Sequence, residues 1–333
     1  MTDFAAGPSE YASGPVSRDM PLRIAVLIPC LDEGSAIGHV VEGFRHALPD
    51  AAIYVYDNGS TDDTPAQARA AGAQVRFEPK RGKGNVVRRM FADVSADVYF
   101  LVDGDGTYDP SSAPRMLAAL SEKCCDMVNA RRVATEPNAY RPGHSWGNRA
   151  LTSVVSWLFG SEISDLLSGY RAFSRRFVKS FPALSGGFEI ETELTVHALE
   201  LRMAVAEIDT PYFARSEGSS SKLSTFGDGF RIARTILKLL RDERPLSFFG
   251  LLGLMFAAVS LYLGVGLWIT FIETGLVPKL PSAVLATGLM LSAFLSTGCG
   301  LILDTVTTGR REMKRLHYLR FDPLGGPGPP ADG

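Results

Sequence analysis

The sequence predicts an α/β cytoplasmic domain on a mostly parallel sheet, then an amphipathic interfacial helix and a two-helix transmembrane hairpin. Three observations carry this. Short β-rich runs alternate with helix-compatible segments over residues 24–123, a basic amphipathic stretch occupies 226–245, and two long uncharged apolar runs lie near the C-terminus. The chain divides accordingly into a disordered tail (1–20), the α/β domain (21–225), the interfacial helix (226–245), two spans within 246–308, and a basic cytoplasmic tail (309–333).

The β-rich runs are Ile24–Ile28, Ile53–Tyr56, Gln74–Phe77 and Val98–Val102. Each leads into a helix-compatible segment: Gly34–Ala47, Thr64–Ala71, Gly82–Val94 and Ser111–Lys123. Strand–helix alternation at this spacing points to βαβ units. Ligands in such sheets bind beyond the carboxyl ends of the strands. Polar clusters sit there: Pro29–Glu33 after the first run, Asp57–Asp62 after the second, Asp103–Asp109 after the fourth.

In Val102-Asp103-Gly104-Asp105-Gly106, alternation along an extended segment turns both carboxylates the same way. Paired carboxylates at the mouth of an apolar strand make a hard-oxygen site for Mg²⁺ or Mn²⁺ that leaves positions for a diphosphate. Turn chemistry accounts for most isolated Asp-x-Asp pairs; the preceding buried-type run DVYFL sets this one apart. Arg81-Gly82-Lys83-Gly84-Asn85 opens a helix, where backbone N–H groups and a fixed cation favour phosphate. The longer GxxxxGK[ST] spacing of a P-loop is absent.

Leu246–Ile272 runs 27 residues without a charge and Leu280–Leu303 a further 24. At about 1.5 Å per residue, each exceeds the roughly 20 residues that cross a bilayer core. Arg231, Arg234, Lys238, Arg241 and Arg244 precede the first span, and Arg310, Arg311, Lys314, Arg315 and Arg320 follow the second, whereas the connecting loop holds only Lys279. The positive-inside rule therefore places both termini and the large domain in the cytoplasm. Phe226, Phe230, Ala233, Leu237 and Leu240 recur at steps of four and three beside basic residues, the pattern of a helix lying in the headgroup layer or packed on the domain. Trp146–Phe159 is a second interfacial candidate. Gly250, Gly253, Gly264 and Gly266 permit close helix approach, consistent with a homo-oligomer.

Lys and Arg number 34 against 36 Asp and Glu, so the net charge of −2 gives no electrostatic footing for nucleic acid. The 333 residues have room for two domains. The four cysteines show neither metal-ligand spacing nor a secreted framework. The polar N-terminus is neither signal peptide nor anchor.

The stretches IPCLDEG (Ile28–Gly34), YDNGSTDDT (Tyr56–Thr64), GKGN (Gly82–Asn85), VDGDGTYDP (Val102–Pro110), NARR (Asn129–Arg132), SGYRAFSRR (Ser168–Arg176) and EGSSSKL (Glu217–Leu223) occur in order over residues 22–225. With the two C-terminal spans they resemble the family 2 glycosyltransferases of GT-A fold, and within these the polyisoprenyl-phosphate glycosyltransferases. The resemblance implies nucleotide contacts at Pro29, Leu31, Glu33, Asp57 and Asn58, and metal and diphosphate contacts at Asp103 and Asp105. It matches Arg131, Arg171, Arg215 and Lys222 to basic positions that hold the acceptor phosphate and the leaving diphosphate. Asn58 stands where the family often has Asp, and Thr107 where many members have Gln.

The implied reaction is inverting transfer of a sugar from a UDP- or GDP-linked donor to polyprenyl phosphate at the cytoplasmic bilayer face. A lipid monophosphate is largely dianionic at pH 7, its second pKa being about 6, so no strong base is demanded. Asp165 is a candidate to steer the acceptor or act as a weak base, or else to cap a turn or pair with Arg171. A glycolipid synthase using a neutral hydroxyl would need such a base. A catalytically silent membrane scaffold is the non-enzymatic alternative. A processive polysaccharide synthase is disfavoured by the lack of Gln-x-x-Arg-Trp.

Overall fold

A computed structural model describes residues 21–135, 152–157, 159–160, 163–187, 189–214, 234 and 236–324. The disordered tail expected at 1–20, most of the Trp146–Phe159 segment's start, and the Phe226–Ala233 part of the amphipathic stretch lie outside the described residues.

The anticipated alternation is present. Strands β1 (Ile24–Cys30), β2 (Ala52–Asp57), β3 (Gln74–Phe77) and β4 (Val98–Leu101) alternate with helices α1 (Gly34–Ala47), α2 (Thr64–Ala70), α3 (Lys83–Asp93) and α4 (Ala113–Glu122). Three further strands, β5 (Met127–Ala134), β6 (Arg171–Ser174) and β7 (Val205–Tyr212), and helices α5 (Arg175–Ser180) and α6 (Ile190–Glu200) follow. One sheet runs β3-β2-β1-β4-β6-β5-β7. β1 pairs in parallel with β2 and β4, β2 with β3, and β5 with β7, while β6 is antiparallel to both neighbours. The sheet is thus mixed, with its parallel half carrying the first three polar clusters.

Burial on both faces explains the apolar strands. Val26 and Ile28 of β1 face a cluster with Ile37, Val41 and Phe44 of α1 and Met116 and Leu120 of α4. Ala25 and Leu27 face the other side, with Val87 and Met90 of α3, Phe177 of α5 and Leu194 of α6. A strand covered on both sides reads as a continuous apolar run.

His197 of α6 is a buried group that this packing leaves without a counter-charge. It is 2% exposed, its Nε2 lies 3.0 Å from Ser180 Oγ, and Phe177 and Phe181 rings meet it edge-on. Burial, with some repulsion from Lys314, pushes its pKa down to about 3. The folded ring is therefore neutral where the unfolded ring, with a pKa of about 6.5, takes up a proton. Stability is full above about pH 6.5 and falls by up to about 1.4 kcal/mol per unit as pH drops toward about 3. Melting curves on solubilised protein should show this acid slope, and His197→Gln should flatten it.

Two helices, α7 (Pro245–Thr274, 30 residues) and α8 (Leu280–Tyr318, 39 residues), close the chain. Pro245 starts α7, and Gly275 at φ 69° stops it in the left-handed conformation that favours glycine. Their apolar windows, of mean hydropathy 2.1 and 1.7, are only 11% and 17% buried. A soluble core helix would be covered; this surface suits membrane association. The helices touch closely: a Cβ on Gly253 would stand 2.8 Å from Thr297 Oγ1 and 3.0 Å from the Ala293 carbonyl, and Ser260 Oγ donates to the Ala286 carbonyl at 2.7 Å. Gly253 therefore serves contact within the hairpin, whereas Gly250, Gly264 and Gly266 border open space.

One boundary needs correcting, and the described part of the amphipathic stretch takes the second of its two readings along one edge. Residues 309–318 are not a tail but continue α8, which at about 1.5 Å per residue is about 58 Å long. Residues 236–243 are helical, but Ile236 and Leu239 pack on Val155 and Leu166 of the domain. That stretch therefore rests on protein along one edge, with Leu237 55% exposed on another.

Candidate active site

The carboxyl ends of β1 and β2 are laced together. Asp32, at φ 51°, accepts the Thr61 N–H at 2.7 Å, and its own N–H donates to Ser60 Oγ at 2.9 Å. The Glu33 N–H donates to Thr64 Oγ1 at 2.8 Å. Asp57 accepts from the backbone of Ser60 at 3.0 Å and Gly59 at 3.3 Å, fixing the turn. Pro29, Leu31 and Glu33 stay half-buried on this rim.

Asn58 departs from its expected role. Its Nδ2 donates to the Glu78 and Lys80 carbonyls, both at 2.8 Å, and its Oδ1 accepts the Gly82 N–H at 2.7 Å. At 4% exposure with its amide fully engaged, Asn58 is a strut between the β2 end and the α3 start rather than a nucleotide contact. An Asp here could not donate to either carbonyl, a physical reason for the departure from the family's pattern.

Asp103 and Asp105 follow β4. A Cβ on Gly104 would meet Cys30 Sγ at 2.5 Å, so only glycine lets the loop lie this close to β1. Asp105 is 3% exposed, and its Oδ1 accepts from Thr107 Oγ1 at 2.6 Å and Thr107 N at 3.2 Å. Thr107 thus sets the orientation of this carboxylate. Asp103 Oδ1 receives Lys83 Nζ at 2.5 Å, and the same ammonium reaches Glu191 Oε1 at 2.5 Å. Burial pushes the Asp103 carboxyl up, and Asp105 and Glu191 act in the same direction against Lys83. Burial disfavours charge on Lys83, but Asp103 and Glu191 more than restore it. The Cys30 thiol is pushed well up by burial and then by Glu33, Asp57, Asp103 and Asp105, which marks these four acids as converging on one region.

Hard carboxylate oxygens beside one another suit Mg²⁺ or Mn²⁺. Among the described residues no group of three or more His, Cys, Asp or Glu is placed to hold a metal by itself. An ion between Asp103 and Asp105 would take its other ligands from a diphosphate and water.

The remaining candidates separate. The α3 start, expected to favour phosphate, lies against the 185–186 chain: a Cβ on Gly82 or Gly84 would stand 2.2 Å from the Gly186 carbonyl or 2.1 Å from that of Ser185. Lys83, the first residue of α3, carries a cation to Asp103. Arg131 forms a two-pronged pair with Asp209 at 2.5 Å and is 46% exposed. Asp165 does not pair with Arg171; both its oxygens bind Arg132, at 2.7 Å each, and it is 4% exposed. Arg171 is 1% exposed and donates to the Ser168 carbonyl at 3.0 Å, the Leu166 carbonyl at 2.6 Å and Thr195 Oγ1 at 2.7 Å. Placed inside the protein, it braces the 166–168 loop, its donors given to protein acceptors. Arg215 and Lys222 lie outside the described residues.

Sequence reasoning missed Glu191, Arg132, Glu207 and Asp209. Asn129 and Arg131 of β5 register against Glu207 and Asp209 of β7, so alternate polar residues on two runs were the available signal.

Known proteins share this arrangement of elements. The family model described as glycosyl transferase family 2 matches residues 25–181. Glycosyltransferase AglJ of Haloferax volcanii is 31% identical over 307 residues, covering 90% of this chain and 99% of that protein. The chain belongs to glycosyl transferase family 2. This glycosyltransferase is also similar to a dolichyl-phosphate hexose transferase of the same organism, 27% identical over 221 residues, 66% of this chain and 95% of that one. Its fold is GT-A. Glucosyl-3-phosphoglycerate synthase from Mycobacterium tuberculosis, solved with Mn²⁺, UDP-glucose and phosphoglyceric acid, superposes with a TM-score of 0.54 at 24% identity, over 66% of this chain and 79% of that chain.

In the glycosyltransferase, Gly169 of the SGYR segment abuts the acidic pair: a Cβ there would stand 2.2 Å from Asp103 Oδ2, and its N–H donates to Tyr108 Oη at 2.7 Å. Gly169→Ala should displace Asp103 and lower kcat by roughly a hundredfold, the cost of an ångström-scale misplacement. Initial rates beside an unchanged melting temperature would check this.

Proposed function

We propose that this glycosyltransferase moves a hexose-type sugar, with inversion, from a UDP- or GDP-linked donor to a polyprenyl phosphate at the cytoplasmic membrane face. The observation that carries the reading is the Asp103–Asp105 pair, with Lys83 on Asp103, in a chain that carries two uncovered membrane-length helices. The relative named for dolichyl-phosphate hexose transfer and the fold neighbour solved with Mn²⁺ and UDP-glucose support it.

Pro29, Leu31, Glu33 and Asp57 line the nucleoside end, on a rim prefixed by the Asp32–Thr61 lacing. Asp103 and Asp105 would hold Mg²⁺ or Mn²⁺, which would supply positive charge beside a departing nucleoside diphosphate. Lys83, kept charged between two carboxylates, adds a fixed cation next to the leaving group. Arg131, Arg215 and Lys222 are the basic residues assigned to the acceptor phosphate and the leaving diphosphate. Asp165 is committed to Arg132, which leaves it poorly suited as a base. That argues for an acceptor which is already an anion and against a neutral lipid hydroxyl. Basic residues flanking the spans set both ends of the chain in the cytoplasm. A polyprenyl tail stays in the bilayer, so the acceptor phosphate is met at its surface.

The test incubates the purified protein in vesicles with polyprenyl phosphate, Mg²⁺ or Mn²⁺, and a panel of nucleotide sugars. A lipid product cleaved by mild acid is expected. An acid-stable product would assign the neutral-hydroxyl acceptor instead, and no product with any donor would favour the silent scaffold.

A further inference from the structure

The C-terminal extension of α8 docks on the α/β domain and on the helical stretch 236–243 through buried charge. Lys314 Nζ lies 2.6 Å from Glu200 Oε2 and Arg311 Nε 3.6 Å from Glu200 Oε1. Arg310 and Arg311 each stand 3.0 Å from one oxygen of Glu243. The Glu200 side chain is 0% exposed and that of Glu243 7%. Further along, Tyr318 Oη donates to Asp126 Oδ2 at 2.9 Å. Buried charges tolerate few arrangements, because a displaced partner leaves its mate uncompensated. This joint is therefore stiff. Glu200 ends α6, and Glu191 in the first turn of the same helix holds Lys83 against Asp103. Nine residues of helix, about 13.5 Å, separate the two glutamates.

We infer that α6 is a positioning strut: Glu200 at one end is held by the membrane-length helix α8, Glu191 at the other is held by the Lys83–Asp103 pair, and the joint fixes the candidate site as one body relative to the apolar hairpin. The inference rests on the reading above that the acceptor is borne by the bilayer. A phosphate tethered to lipid samples only a thin layer at the surface, so a hinged domain would meet it less often. Glu200 acts through Glu191 and touches neither substrate.

Native thiols provide the probe. Cys124 on the domain and Cys299 on α8 are exposed, whereas Cys30 and Cys125 are buried. Spin labels on Cys124 and Cys299 of the full chain in vesicles report the separation of domain and hairpin. A single narrow distance distribution is expected for the unaltered chain, and a broadened one for Glu200→Gln and for Lys314→Met, the latter altering only the α8 side. KM for vesicle-borne polyprenyl phosphate should rise on the order of tenfold in both, within the range such coupling contacts reach. Donor affinity, and kcat with detergent-dispersed acceptor, should hold, and Glu200→Asp should recover part of the loss. Unchanged distances in both variants, or equal losses with both forms of acceptor, would overturn the strut. Should the unaltered protein form no lipid product, the functional reading fails, while the distance distributions still decide the joint.

Discussion

Asp105→Ala is expected to lower sugar transfer on the order of a thousandfold while the protein remains folded and membrane-bound. An ion bound there would contribute a few kcal/mol against the charge developing on a leaving diphosphate, and each 1.36 kcal/mol is a factor of ten in rate. Asp105 is 3% exposed and held by two bonds from Thr107, so its carboxylate is preoriented. The same bonds give the substitution a structural cost: two donors on Thr107 lose an acceptor, worth about 1–3 kcal/mol each when buried. Thr107→Val separates the effects, since it removes the 2.6 Å bond and keeps the carboxylate. It should reduce turnover less than Asp105→Ala. Rates with Mn²⁺, a thermal melt and Mn²⁺ binding by electron paramagnetic resonance measure all three quantities. Full turnover in Asp105→Ala would remove this carboxylate from the mechanism.

Arg171→Met should produce the second large effect, on stability and not on the chemical step. The guanidinium is buried, its pKa is lowered chiefly by burial, and it answers two loop carbonyls and Thr195 Oγ1. Removing it leaves three acceptors without a donor, a loss of about 3 kcal/mol after allowing for non-additivity. At about 2–4 °C per kcal/mol for a domain of this size, the melting temperature should fall by roughly 10 °C. Arg171→Lys should fail too, because a point-charge ammonium does not reproduce the guanidinium fork. A normal melting temperature with abolished transfer would instead return Arg171 to a phosphate-binding role.

Parts of this molecule are legible because they depend on near neighbours in sequence. β1 and β4 read as strands since both faces are covered by apolar contacts. The acidic pair is visible because one strand end displays it. β6 was missed because polar Arg171 and Ser174 leave it only two apolar residues in the run RAFS, and β5 because its polar positions Asn129 and Arg131 are answered by Glu207 and Asp209 of β7. Glu191 could not be found from spacing: it meets Lys83 across 108 positions. Arg131, Arg132 and Arg171 are one residue type with three fates, an exposed pair, a buried pair and an internal brace.

By itself, then, the amino-acid order determined the layered α/β domain, the carboxylates at a strand mouth and the pair of membrane-length helices. Each follows from periodicity, run length or local backbone geometry, which act over a few residues. The tertiary structure decided which cation faces Asp103, which arginines are spent inside the protein, and that α8 reaches back to the domain through Glu200 and Lys314. Those are contacts between distant segments, and they exist only once burial has brought the segments together and made an unmatched charge too costly to leave.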